Sequence, residues 1–417
     1  MVDFTLLIAG GSVYDASQSL VGAAVDIGIS GNVITEVTAN IAPARASNVY
    51  DATGKIVCAG LVDAMAHSWV RNPMGVVPDT LALEGVTTTC SPGDAGAGSV
   101  ASFREQVVNT TSARVYCEVM ISRWGYDRWP LSEIYPDISC INADDVAWSC
   151  IENADIVPGI KIRLSEAIIG SVDPQDIMDK AFAARSKAEL ETGKLFYIRT
   201  HIGALPTNTL LASIVSQMRA GDIIAHCYDG NANSSGVATG FAQAWEVTDA
   251  AYIAKSNGII LDVGAGGVPG VSGGSLDWLT TGICMVPLGH AAPGIRPDTL
   301  SSDTHAGSGG HQKLIDLGSA FLALNNPSNI DHANFSGITS LSPAITLDKV
   351  IEWMTWAPAK VINRDQMLGT LKVGARADVA ILSLLTGSYV WQDTFLRNLS
   401  GTQRLEVNKV IMNGVVL

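Results

Sequence analysis

Eight short apolar runs, separated by helix-length segments, constrain this chain more than any other feature. The runs are Ile56–Asp63, Gly85–Ser91, Arg114–Ser122, Val157–Ser165, Leu195–Ile202, Asp222–Cys227, Gly258–Gly264 and Asp298–His305. The clearest helix between them is Asp173–Thr192, where Asp173-Pro174 is a start signal and Gly193 a stop. Val100–Thr110, Thr207–Ala220, Ala242–Ser256 and Gln312–Leu324 are the other helical stretches. Eight strands alternating with helices predict the α/β class, and specifically a closed parallel (β/α)8 TIM barrel.

Both ends of the chain have a different texture. Phe4–Ala9, Ser12–Tyr14, Ala24–Ile29 and Val33–Val37 are short strands, and Gly31-Asn32 is a turn before the last of them. Leu371–Gly374, Asp378–Leu382 and Lys409–Asn413 repeat that texture at the other end. The two ends are expected to pair into one small β-sandwich, residues 1–58 with 366–417, beside a barrel of residues 59–365. A chain of 417 residues suits one large domain and a smaller module.

Composition narrows the partners. A net charge of −14 argues against nucleic acid and anionic membrane surfaces, which need a basic face. No stretch approaches the ~20 apolar residues of a membrane span. Seven cysteines, an odd number, read as reduced thiols. The opening MVDFTLLIAGG lacks a basic, signal-like start. A cytoplasmic homo-oligomer acting on a small molecule is the expectation.

Chemistry in such a barrel gathers at the C-terminal ends of the strands. Polar residues do fall there: Asp63 and then His67 on run one, Lys161 and Arg163 on run four, His201 on run five, His226 on run six, and Asp303 with His305 on run eight. The whole chain has only seven histidines, so His67, His201 and His226 at strand ends are a concentrated set. Imidazole and carboxylate suit zinc and related divalent ions.

The order and context of these residues resemble the amidohydrolase superfamily. Gly60-Leu61-Val62-Asp63 leading to His67 is similar to its strand-one signature, and Gly159–Ser165 to the strand-four signature of its deacetylase-like branch. Thr200–Gly203, Ala225-His226-Cys227 and Pro297–His305 are similar to the motifs of strands five, six and eight. Thr355–Lys360 and Gly374–Asp378 resemble the closing signature. The resemblance implies a metal-dependent hydrolase of an amide, ester or cyclic amide bond. It implies one or two Zn2+ ions, with His67, Lys161, His201, His226 and Asp303 as ligands. Lys161 is then an N6-carboxylysine and takes part in catalysis, and Asp303 is the general base. Arg163, His305 and Trp124, the last in the aromatic stretch Arg123–Pro130, are expected to bind substrate.

The pattern breaks at Met65, where the family has the first histidine of its strand-one pair, and at Ala265 on run seven. A thioether is a soft, neutral, weak ligand. Three readings stay open: a single ion, a binuclear site with a substitute ligand such as Cys90, or a barrel that has lost its metal and serves binding, assembly, or lyase or cyclase chemistry. Plainer roles are also open, with Lys161 snorkelling to solvent, Arg163 bracing an acid, His305 ending a strand, and Cys90 and Cys227 as buried thiols. His290 lies on the loop entering run eight.

Overall fold

The computed structural model describes residues 2–72, 74–126, 134–266, 275–286, 294–306 and 313–417. His290, Asp127–Pro130 of the aromatic stretch and the start of the Gln312 helix lie outside the described residues.

Seven parallel strands follow one another around a curved sheet: Leu61–Asp63, Val86–Gly96, Arg114–Met120, Gly159–Arg163, Tyr197–His201, Ile223–Ala225 and Ile260–Asp262. The eighth segment is extended but bridges only at single points. Thr299 pairs with Asp262 on strand seven and Thr304 with Ala66 just beyond strand one, both parallel, which closes the ring. The fold is therefore the (β/α)8 barrel expected from the alternation of runs.

The run Ile56–Asp63 is two strands in two different sheets. Ile56–Ala59 pairs antiparallel with Val379–Gln392, while Leu61–Asp63 pairs with strand two of the barrel. Gly60 is the junction. A side chain there would stand 2.2 Å from Thr87 Oγ1, so only glycine lets the chain cross between the sheets.

The terminal segments build a six-stranded and a four-stranded sheet. Val13, Ile27, Ile29, Ile34, Val57 and Ile381 share one buried cluster between them. The expected strand 24–29 is divided. Leu20–Ala24 joins the larger sheet and Asp26–Ser30 the smaller, with a change of partner at Val25. Two long strands, Val379–Gln392 and Asn398–Met412, extend far beyond the short ones expected, and the second lies on helix Leu314–Ala323. Ser319 Oγ accepts the Leu405 amide at 2.9 Å, so the hairpin's exposed alternation hides a paired inner face.

Local signals worked best where capping is explicit. Helix Pro174–Thr192 has Asp173 accepting from the Gln175 amide at 2.9 Å, and Gly193 is left-handed at its end. They failed at Ala242–Ser256. Residues Ala242–Gln243 and Glu246–Val247 form a hairpin, and the helix starts only at Asp249. Ala244 and Trp245 both take positive φ (48° and 71°), a turn no helix accommodates. The expected helix Val100–Thr110 is likewise an α turn over Val100–Phe103 that widens to a π-helix over Arg104–Val108. No helix among the described residues is long and apolar enough to cross a membrane.

A charged layer spans the barrel interior. Arg199, fully buried on strand five, donates Nε to Glu118 of strand three at 2.6 Å and Nη1 to Asp262 of strand seven. Its Nη2 reaches the Ala64 carbonyl beyond strand one at 3.0 Å. Tyr197 adds its hydroxyl to Glu118 at 2.7 Å, and Thr299 and Ser301 donate to Asp262 at 2.6 and 2.7 Å. Odd-numbered strands contribute one interior layer of such a barrel, and here that layer is ionic. Arg199→Met leaves two carboxylates buried without their cation. We expect a loss of about 3–5 kcal/mol in chemical unfolding, and part of it recovered when Glu118→Gln is added.

Candidate active site

Above the Arg199 layer the strand ends carry the residues singled out in the sequence. Lys161 and Arg163 are two apart on strand four, so both project inward. Lys161 is 2% exposed, and its ammonium donates to Met65 Sδ at 3.7 Å, a weak acceptor. Burial drives its pKa down to about 7, outweighing the attraction of Glu118 and Asp303. Near neutrality a substantial share of Lys161 is thus the free amine.

His67 is held between two carboxylates. Its Nδ1 lies 2.5 Å from Asp94 Oδ1, and its Nε2 lies 3.5 Å from Asp303 Oδ1. Burial opposes the imidazolium, but Asp94 and then Asp303 reverse that and raise its pKa to about 9. Burial would also raise the Asp303 carboxyl. The hydrogen bond to His67 and the fields of His226, His67 and His305 outweigh it and keep Asp303 ionised. Asp94 is a functional candidate the sequence reading missed. It sits in Gly93-Asp94-Ala95-Gly96 at the end of strand two, and its other oxygen accepts the amides of Ser68 and Trp69 at 2.7 and 3.1 Å.

His226 donates Nδ1 to the Gly264 carbonyl at 2.7 Å, which leaves Nε2 as the bare lone pair. Burial lowers its pKa to about 4. Among the described residues its Nε2 makes no hydrogen bond. Gly264 is obligatory here, since a Cβ would stand 2.3 Å from Met65 Cε and 3.0 Å from His226 Nδ1. Backbone strain gathers at the same place. His226 and Asp303 have φ of 63° and 49°, a region that residues with a side chain seldom adopt.

His201 stands 4.3 Å from His226, ring centre to ring centre, but both its nitrogens are engaged. Arg163 donates Nη2 to Nε2 at 3.1 Å, and Nδ1 lies 3.0 Å from Ser165 Oγ and 3.2 Å from the Gly203 amide. Burial, then Arg163, hold it neutral. Arg163 also donates Nη1 to the Tyr126 hydroxyl. Its Nε is buried without a partner among the described residues. Tyr126 in turn meets the edge of His67 at 5.0 Å. From the described part of the aromatic stretch, Tyr126 reaches the site, and Trp124 has the Arg123 guanidinium 5.3 Å from its ring. His305 faces His67 at 5.9 Å.

Cys90 points elsewhere. It packs with Val62, Ala359 and Ile362, and burial raises its thiol far above the ordinary range, so it is no substitute ligand. Cys227 is buried and raised in the same way. Among the described residues, no three His, Cys, Asp or Glu side chains are drawn together as a ready-made ion site.

The family model described as amidohydrolase family matches residues 179–417, more than half the chain. The chain belongs to the amidohydrolase family. It is a hydrolase of the class that acts on C–N bonds, and this family generally works with metal ions and a carboxylated lysine. A protein named deacetylase from Enterococcus faecalis is 25% identical over 390 residues, covering 92% of this amidohydrolase and 90% of its own length. Another named deacetylase, from Agrobacterium fabrum, is 26% identical over 373 residues, 89% and 80% of the two chains. Crystal structures of an adenine deaminase and a dihydroorotase superpose with TM-scores of 0.80 and 0.76 at 22% and 21% identity, over at least 98% of each chain. At that identity they establish the shared fold.

The Asp94–His67 contact generates a prediction. Replacing Asp94 with Asn keeps the shape but loses the charge that fixes the imidazole. Hydrolytic kcat/KM should drop about 10–100-fold, with an unchanged far-ultraviolet circular dichroism spectrum.

Proposed function

We propose that this amidohydrolase is a metal-dependent, deacetylase-like enzyme that hydrolyses an amide or ester bond of a small acylated substrate. The observation that carries the reading is the buried Lys161 amine within the field of His226 and the ionised Asp303, itself 3.5 Å from His67, on four separate elements of the barrel. The two named deacetylases, matching nearly end to end, support the acyl-transfer class.

The residues fit one divalent ion. His226 offers Nε2 with its tautomer already set by Gly264, and Asp303 offers a carboxylate. Lys161 as the free amine adds through Nζ to CO2 and releases a proton, which gives an N6-carboxylysine with two anionic oxygens in place of a repelled ammonium. His201 becomes a ligand through Nε2 only once the Arg163 guanidinium moves off it. Met65 leaves the position of the first strand-one histidine without an imidazole, which favours one ion, of which Zn2+ suits the nitrogen and oxygen donors. When bound, such an ion polarises an acyl carbonyl and lowers the pKa of water.

The chain's own residues do the rest. Asp303, aligned by His67, takes the proton from the attacking water and hands it to the leaving nitrogen or oxygen. Arg163 keeps Nε for a substrate carbonyl or carboxylate, with Tyr126 holding the guanidinium. His305 and Tyr126 wall the site beside His67.

Three outcomes test this. Chelator treatment should abolish hydrolysis of an N-acetylated amino acid panel, and Zn2+ should restore it. Asp303→Asn should lower kcat by about 10²–10⁴-fold with little change in thermal midpoint. Met65→His should raise bound zinc, by elemental analysis, from about one to about two ions per chain. A second reading has two contacts in its favour, namely that Arg163 caps His201 and Met65 covers Lys161. In that case the barrel binds ligand without metal, and the same panel shows no activity that zinc restores.

A further inference from the structure

The barrel has a cavity at the end opposite the site residues. It measures about 700 Å³ and opens where strands five to eight begin, and helices Leu347–Met354 and Trp356–Val361 form its other wall. Tyr197 lines it, whereas His201, on the same strand, belongs to the catalytic face. Four residue steps separate them, about 13 Å of strand. Between them on the strand lies Arg199, whose ionic layer separates this cavity from the catalytic face.

The walls have a defined character. Tyr197, Ile260, Pro297, Trp353 and Val361 supply apolar surface. Some of the lining charges neutralise one another. Lys255 pairs with Asp298 at 2.6 Å, and Lys349 with Glu352 at 2.9 Å. Two cations have no carboxylate partner among the described residues. Arg296 donates only to the Pro343 carbonyl, and Lys360 lies 4.6 Å over the Trp356 ring. One acid, Asp348, is likewise without an ion pair among the described residues. The unpaired lining charge is therefore two positive against one negative. Arg296 is half-buried, and burial works against its charge, so an anion beside it recovers a lost interaction.

We propose that this cavity is a second, non-catalytic binding site for a small monoanionic ligand with an apolar, ring-sized body. Its volume lies within the ~300–1,000 Å³ of small-molecule sites, and its mixture of apolar wall and few fixed charges is theirs as well. Arg296 and Lys360 take the anionic group, and Asp348 limits the site to one negative charge. Both Tyr197 and Thr299 touch the ligand space and hydrogen-bond to the acids flanking Arg199.

Isothermal titration calorimetry of the full chain with 2-naphthoate tests this directly. We expect one saturable site per chain, with neutral 2-naphthalenemethanol binding at least about tenfold more weakly. Arg296→Gln and Lys360→Gln should each weaken naphthoate about tenfold. Arg296→Lys should retain most of the affinity, and Asp348→Asn should strengthen it. Asp303→Asn, at the other face, should leave it unchanged. The proposal is overturned by non-saturating heats, by equal affinity for the alcohol, by indifference to both cation variants, or by loss of binding in Asp303→Asn.

Discussion

One buried guanidinium organises this barrel. Arg199 lies at the centre, where a ring of apolar side chains would be the ordinary filling, and it ties together strands one, three, five and seven. Two acids surround a single cation, so the layer has a surplus of negative charge. Strand four places Lys161 within the field of Glu118 and Arg199 alike. Desolvation still wins there, and the lysine loses its proton more readily than any surface lysine does. Burial, and not the ionic layer, thus sets the direction in which Lys161 titrates, while Glu118 and Arg199 pull against each other.

The site itself is held by partners outside the set that would touch substrate. Asp94 fixes His67, the Gly264 carbonyl fixes His226, and Ser165 and Gly203 fix His201. Positive φ at His226 and Asp303 shows that the backbone is bent to present these two side chains. Met65 packs against Gly264, where a side chain would meet its methyl group.

Much of this was legible in the sequence, for identifiable reasons. Strand periodicity places inward residues two apart, which is why Lys161 and Arg163 could be assigned to one face. A polar residue at the end of an apolar run has few structural uses, which is why His201, His226 and Asp303 stood out. Asp94 was missed because it sits among small residues at the end of a strand longer than its apolar run. Which side chain of the stretch around Trp124 and Tyr126 reaches the site cannot be read from spacing, because loop geometry, unlike strand geometry, has no period. The hairpin at Ala244–Trp245 was read as helix because alanine-rich composition masks a turn that tertiary packing imposes. Nothing in residue spacing reveals that Arg163 turns onto His201 rather than into open space.

The proposed function requires Lys161 to act as an uncharged nucleophile that takes up CO2. Carbon-13 NMR of the protein equilibrated with zinc and ¹³C-bicarbonate measures that property without reference to any substrate. The account predicts one protein-bound carbamate resonance, absent from Lys161→Ala and retained after removal of free bicarbonate. A spectrum with no such resonance in folded, zinc-loaded protein would contradict it.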